Sequence, residues 1–277
     1  MKRFLATAII LFCSCLMQAQ EGIVFKILIK PNTTYISEMS TSSITETAFN
    51  SGEALSSSMD NKSLVENTTK MKSIMVAESP KEDGNIPISI RYEDATADML
   101  VNGQRQSMAL PITDAVIMAN YTADNNIVMD TIVGQSLNPQ FKQMMGTMLE
   151  QMAQQIDFPE NPIKVGDEFT TEKPMTIPAP GMKPIEMKIK SAYKLNEIND
   201  GKAFFTFQQD ITLESVQEGF SMDAKGSGTG SCEYDIDGQY LSYLKSELPM
   251  QLTMKMSENM SSIVNSTTIT EVKMSVE

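Results

Sequence analysis

The chain contains no histidine, and this one absence excludes a large share of known chemistry. It rules out Ser-His-Asp and Cys-His nucleophile systems and every histidine-ligated metal site. Carboxylate-only and Ser-Lys schemes stay open in principle, but no nucleophile with a partnered base stands out. No catalytic residue, metal or cofactor is therefore assigned. Cysteine is scarce as well: of three, Cys13 and Cys15 fall in the N-terminal leader and only Cys232 lies beyond it. The rest of the chain can form no internal disulfide, so a hydrophobic core must hold it together. Basic residues are the minority, 22 against 35 acidic, for a formal net charge of −13. Such a chain is repelled by nucleic acid and by anionic lipid surfaces, and nucleic acid is excluded as a partner. After the leader, no run is apolar enough to span a bilayer as a helix, so no transmembrane segment is expected in the mature chain.

What is present begins with that leader. "MKR" supplies positive charge, "FLATAIILFCSCLM" is a short apolar run and "QAQEG" returns to polar sequence. This is the layout of a signal peptide over 1–20, with cleavage near Ala19 or Gln20 and an exported protein, periplasmic or secreted, as the product. The alternative is lipid anchoring through Cys15, which follows a suitable Ser14.

Turn signals then punctuate the chain: Asp83-Gly84, Asn102-Gly103, Asn125-Asn126, Asp200-Gly201 and Asp237-Gly238. Such pairs accept positive φ cheaply and favour the tight turns of antiparallel hairpins. The segments between them alternate. "GIVFKILIK" sets Ile23, Phe25, Ile27 and Ile29 on one face, and "LPMQLTMKM" sets Leu248, Met250, Leu252, Met254 and Met256 on another; both read as half-buried strands. "EKPMTIPAPGMKPIEM" carries four prolines and reads as a loop or an interrupted edge strand.

One stretch has the other period. In "LNPQFKQMMGTMLEQMAQQI", Phe141, Met145, Met148, Met152 and Ile156 recur at helical spacing behind an Asn138 cap and Pro139, which predicts an amphipathic helix over 138–156. The fold class expected is mainly β with this one helix (α+β): curved antiparallel sheets built from hairpins. Similar motifs recur on both sides of the helix, "IKPNTTYIS" against "IKVGDEFTT" and "NYTADNNIVMDTIVG" against "EYDIDGQYLSYLK". They suggest two related β halves, 21–136 and 163–277, joined by a helical connection over 137–162 and able to form one domain.

The glycine-rich "AKGSGTGSCEYDIDGQYLSY" invites more specific readings. A phosphate-binding loop needs a lysine and a hydroxyl after its last glycine, opening a helix; here Ser231, Cys232 and Glu233 follow Gly230. A calcium loop needs a further ligand and a late glutamate that are missing. Read as a strand, Gly226, Gly228, Gly230, Cys232, Tyr234 and Ile236 share one face, bare enough for close approach of another backbone. Glu233, Asp235 and Asp237 share the other, as solvated acids beside a turn.

"IKPNTTYISEM", "PIKVGDEF" and "GTGSCEYDIDGQYL", with a Met- and Gln-rich segment between them, resemble a family of uncharacterised exported β-rich proteins from Bacteroidetes-type bacteria. That resemblance implies compartment and architecture and carries over no site residue. Two functions compete on the residues themselves. One is a non-enzymatic binding module for an apolar ligand or lipid, lined by Met145, Met148, Met152, Met250 and Met254, because methionine adapts to irregular apolar shapes. By fold analogy it would be a lipoprotein-carrier-like half barrel. The other is an envelope scaffold or protein-interaction domain, whose partner is an envelope protein and whose methionines only fill a core.

Overall fold

The computed structural model describes residues 22–51, 62–134, 156–177, 185–217, 220–257 and 260–277. The N-terminal half supplies β1 (Thr33–Ser51), β2 (Lys62–Ala77), β3 (Ile86–Val101), β4 (Gln104–Ala109), β5 (Val116–Tyr121) and β6 (Ile127–Val133). The C-terminal half supplies β7 (Glu168–Ile177), β8 (Ile185–Asn199), β9 (Lys202–Gln217), β10 (Phe220–Asp235), β11 (Tyr240–Ser257) and β12 (Met260–Val276). All twelve form one antiparallel sheet in the order β6-β5-β3-β2-β1-β12-β11-β10-β9-β8-β7, with β4 on the side of β3. The sheet is not closed, and β6 and β7 are its ends. Within each half, neighbours in sequence mostly pair as hairpins. The two halves meet at a long-range seam, where β1 and β12 pair from Tyr35↔Val276 to Ser51↔Met260.

The turn chemistry explains the hairpins. Asn102-Gly103 joins β3 to β4 and Asp200-Gly201 joins β8 to β9, with positive φ at both residues of each pair, as a twist-matched two-residue turn requires. Asn125 also takes positive φ between β5 and β6. After β10 the left-handed residue is Gln239, not Gly238. There Asp235 holds the turn by accepting the Gly238 N–H at 2.5 Å.

Three expectations change. The alternation in "GIVFKILIK" predicts burial correctly, since Phe25 is buried and Val24 exposed. Yet residues 22–30 join no ladder beyond a single bridge, Ile23↔Ile163. They cross one end of the sheet as an extended second layer, so the period of two reports contact with the sheet and not membership in it. The helix expected over 138–156 lies outside the described residues except for Ile156. Ile156 and residues 157–162 of the expected helical connection are not helical, in keeping with Pro159 and Pro162. Among the described residues the helical element is one 3-10 turn, Pro111–Asp114, so these residues form one β sheet, in place of the expected α+β arrangement of several. None of their helices is long and apolar enough to cross a membrane.

The proline-rich stretch holds to its reading. Its residues 172–177 belong to the edge strand β7, with Pro174 inside it; residues 185–187 open β8, and 178–184 lie outside the described residues. Proline cannot donate to a ladder and is tolerated at an edge.

The core sits at the end of the sheet crossed by residues 22–30. There Phe25, Phe205, Tyr193, Phe207 and Tyr234 are buried with Ile156 and Ile163, and Phe158 and Phe169 pack against them. The rings touch in edge and stacked geometries: Phe25–Phe205 centroids are 5.3 Å apart and Phe169–Tyr193 5.0 Å. The crossing segment is tied down by tyrosines. Tyr234 Oη donates to Lys26 O at 2.5 Å and Tyr35 Oη accepts the Lys30 N–H at 2.8 Å. A second pair of clusters serves the N-terminal half, around Ile90, Ile112 and Ile117 and around Tyr35, Ile88 and Tyr121.

Candidate functional site

The register sorts the strands onto two faces. Pairing through Met222↔Met254, Met254↔Ser262, Phe49↔Ser262, Met71↔Ala95 and Leu213↔Ala224 puts one parity of every strand on the same side. Across the eight neighbouring strands from β3 to β8, that side carries no charged side chain among the described residues. The other side carries charges of both signs. Lys72–Glu93 at 2.7 Å and Lys202–Glu233 at 3.1 Å bridge across it.

On the uncharged face, the end away from the aromatic core is lined by methionine. Leu213 and Ala224 are buried there, with Met187, Met222, Met250 and Leu252 half-buried around them. Met254 lies directly across from Met222. These residues come from β8, β9, β10 and β11, and no described element of a second layer packs on them. Of the sequence-predicted binding residues, the structure thus brings Met250 and Met254 onto one face beside Met222. Met145, Met148 and Met152 lie outside the described residues. Sequence reasoning missed Met187, Met222 and Leu213. Their signal was available: Met187 alternates with Ile185 and Ile189, and Met222 alternates with Ala224.

The glycine stretch shapes the neighbouring part of this face. As expected of a strand, Gly226, Gly228 and Gly230 point to the uncharged side of β10. A Cβ on Gly228 would overlap Glu247 O and come within 2.9 Å of Leu248 Cα, and one on Gly230 would enter the Phe207 ring. The bare backbone is therefore filled by Leu248 and Phe207 from the flanking strands. Opposite it, Pro249 sits inside β11 and lacks the N–H a ladder needs. The β10–β11 ladder accordingly skips two residues between Gly226↔Met250 and Thr229↔Glu247, with the register unchanged across the gap.

Two troughs, of about 610 Å³ and 750 Å³, lie on the charged side. Solvated side chains wall them, among them Glu168, Lys194 and Lys245 in the first and Glu46, Asp210 and Lys225 in the second. Lys194 is already paired with Glu168 at 3.1 Å. Glu233 faces Lys202 and Asp235 is used by its turn, and the described residues contain no metal-holding group of acids and cysteine. Charged side chains on a sheet surface are ordinary, whereas a partly exposed apolar cluster is not. The methionine face is therefore the better candidate.

Thiol chemistry is closed off. Cys232 is buried, and burial pushes its thiol up to about 12, so it stays protonated and unreactive near neutrality. Burial likewise pushes Tyr193 up to about 12.

No protein-family model matches the chain, and no curated protein does. Among solved structures, one likeness is to "Crystal Structure of Pseudomonas aeruginosa OccK7 (OpdD)", at 4% sequence identity over 88% of this chain and 99% of that one. Its TM-score is 0.23, a level at which likeness bears on neither fold nor function.

Proposed function

We propose that this is an exported, non-enzymatic binding module that takes up an apolar ligand on the methionine face of its sheet. The observation that carries the reading is the cluster of Met187, Met222, Met250, Leu252 and Leu213, on which no described second layer packs. Thioether side chains are flexible and polarisable and re-pack around irregular apolar shapes, which suits a surface that holds varied chains. An open sheet offering an apolar face is also what a lipoprotein-carrier-like half barrel would present; this part of the reading is analogy of form. Export rests on the charged, apolar and polar layout of residues 1–20. As a docking scaffold, the sheet is blunted at its β7 edge. Pro174 interrupts that edge, and Lys173 points inward with Nζ 3.3 Å from Asp157 Oδ2, two devices that discourage strand addition.

The test is titration of the purified protein with N-phenyl-1-naphthylamine, an uncharged apolar fluorophore. Saturable enhancement is expected, weakened about tenfold or more in the double variant Met222→Gln/Met250→Gln, which keeps side-chain length and adds polarity. Absence of saturable binding, or equal binding by the variant, would sink the reading.

A further inference from the structure

The apolar columns of the uncharged face give way at β12 to a stretch rich in hydroxyls. On β11 the face reads Leu244, Ser246, Leu248, Met250, Leu252, Met254; on β12, opposite these in turn, it reads Val272, Thr270, Thr268, Ser266, Val264, Ser262. In the same rows β1 continues as Met39, Thr41, Ser43, Thr45, Thr47 and Phe49, and β2 as Met71, Thr69, Asn67, Val65 and Ser63, so the hydroxyls lie in the middle rows with Met39 and Met71 at one end and Phe49 at the other. The seam between the halves is thus a field of hydroxyls, mostly half-buried, set directly beside the methionine field. Two of its members are joined already, Thr45 Oγ1 and Ser266 Oγ at 3.0 Å. A third, Ser262, is fully buried on this face between Met254 and Phe49, and its hydroxyl has no hydrogen-bond partner. A buried hydroxyl without a partner is costly and calls for something to bond it.

Resting on the apolar-ligand reading above, we infer that the ligand is an amphiphile with an uncharged, hydroxylated head. Its apolar chain lies over Met187, Met222, Met250 and Leu252, and its head lies over the β12–β1 seam. Charge complementarity decides the head. Among the described side chains no lysine, arginine or acid faces it from β3 through β8 to balance an ionic head, and Lys173 on β7, beyond the methionine field and at the far side from the seam, is held by Asp157 at 3.3 Å. Placing an ion on such a face forfeits its hydration with no compensating partner. Hydroxyls are different, because serine and threonine both donate and accept and so match a polyol in either sense. The dimensions agree. The field from β8 to β11 is three strand spacings, about 14 Å across, and the hydroxyl columns begin one spacing further on, about 5 Å away.

The experiment displaces bound N-phenyl-1-naphthylamine from the full chain with three single-chain amphiphiles of equal chain length. These are a monoacylglycerol, the corresponding fatty acid and the corresponding alkyltrimethylammonium. The monoacylglycerol is expected to displace the probe at concentrations about tenfold lower than either ion. In Thr45→Val/Ser266→Ala that preference should shrink to about twofold. Equal potency of the three amphiphiles, or a preference for an ion, would overturn the head assignment and leave the apolar site standing. If the neutral preference survives intact in the double variant, the seam is not where the head lies, and the inference fails. If the probe does not bind at all, the site reading and this inference fall together; that result is what a face occupied by the chain itself or by a second copy would give.

Discussion

The two ends of the uncharged face are built from different side chains to different purposes. At one end, aromatic rings from β7 to β10 meet Phe25 and Phe158 from segments crossing the sheet, giving a two-layer core. At the other, methionines and leucines from β8 to β11 form a cluster with no described second layer over it. Rings are rigid and pack in few geometries, so they fix the sheet. Thioethers are soft and accept many, so they leave it adaptable. Stability and adaptability are kept at opposite ends of the same strands.

The sharpest way to break that contrast is to truncate a side chain at each end. Phe205→Ala removes a ring that is 1% exposed and touches Phe25, Phe158 and Phe169, and should cost about 3–5 kcal/mol in denaturant unfolding. Met250→Ala, at the half-buried end where no described second layer packs on it, should cost only roughly 1–2 kcal/mol. Equal losses would mean that both ends are core.

Between the two lies the glycine column. Gly228→Val places methyl groups where Glu247 O and Leu248 already stand, and should cost about 1–3 kcal/mol or more. Thr229→Val, on the exposed charged side, should stay within about 0.5 kcal/mol. Matching midpoints for this pair would show that the two faces of β10 are assigned the wrong way round.

The gentlest probe is alkaline pH. Cys232, at the aromatic end, has its thiol raised from 9.0 to about 12 by burial, and Tyr193 is raised from 10.0 to about 12. The folded state favours the neutral forms. Their contribution is therefore complete below about pH 9 and is lost progressively as pH rises from there through about 12. At pH 10, one unit above the unfolded thiol, the Cys232 share of the loss is about 1.4 kcal/mol. Cys232→Ala should flatten that part of the stability profile, while the Met250→Ala profile should run parallel to the parent.

Much of this was legible in the sequence. Asn102-Gly103 and Asp200-Gly201 named their hairpins because a two-residue turn demands the φ that Asn, Asp and Gly accept. Met250 and Met254 showed their shared face by a period of two. The segment "GIVFKILIK" misled for a physical reason. Any extended chain lying on an apolar surface alternates its burial, and the backbone hydrogen bonds that separate strand from strap leave no mark on side-chain period. Nor did the sequence show that "TSSITET" and "NSTTITE" are neighbours. Serine and threonine look alike in a loop or on a strand, and the pairing of β1 with β12 is long-range. The field of hydroxyls exists only once that seam has formed.

That seam also imposes a timetable. Strand β1 is the first of the described strands to be made, and its partner on one side, β12, is the last of them. Contacts that close so large a loop are entropically expensive and form slowly. Until the 17 residues of β12 arrive, β1 must wait as a long, proline-free edge, the kind of edge that recruits the wrong partner. For this chain, time spent half-finished is the moment of greatest exposure to aggregation.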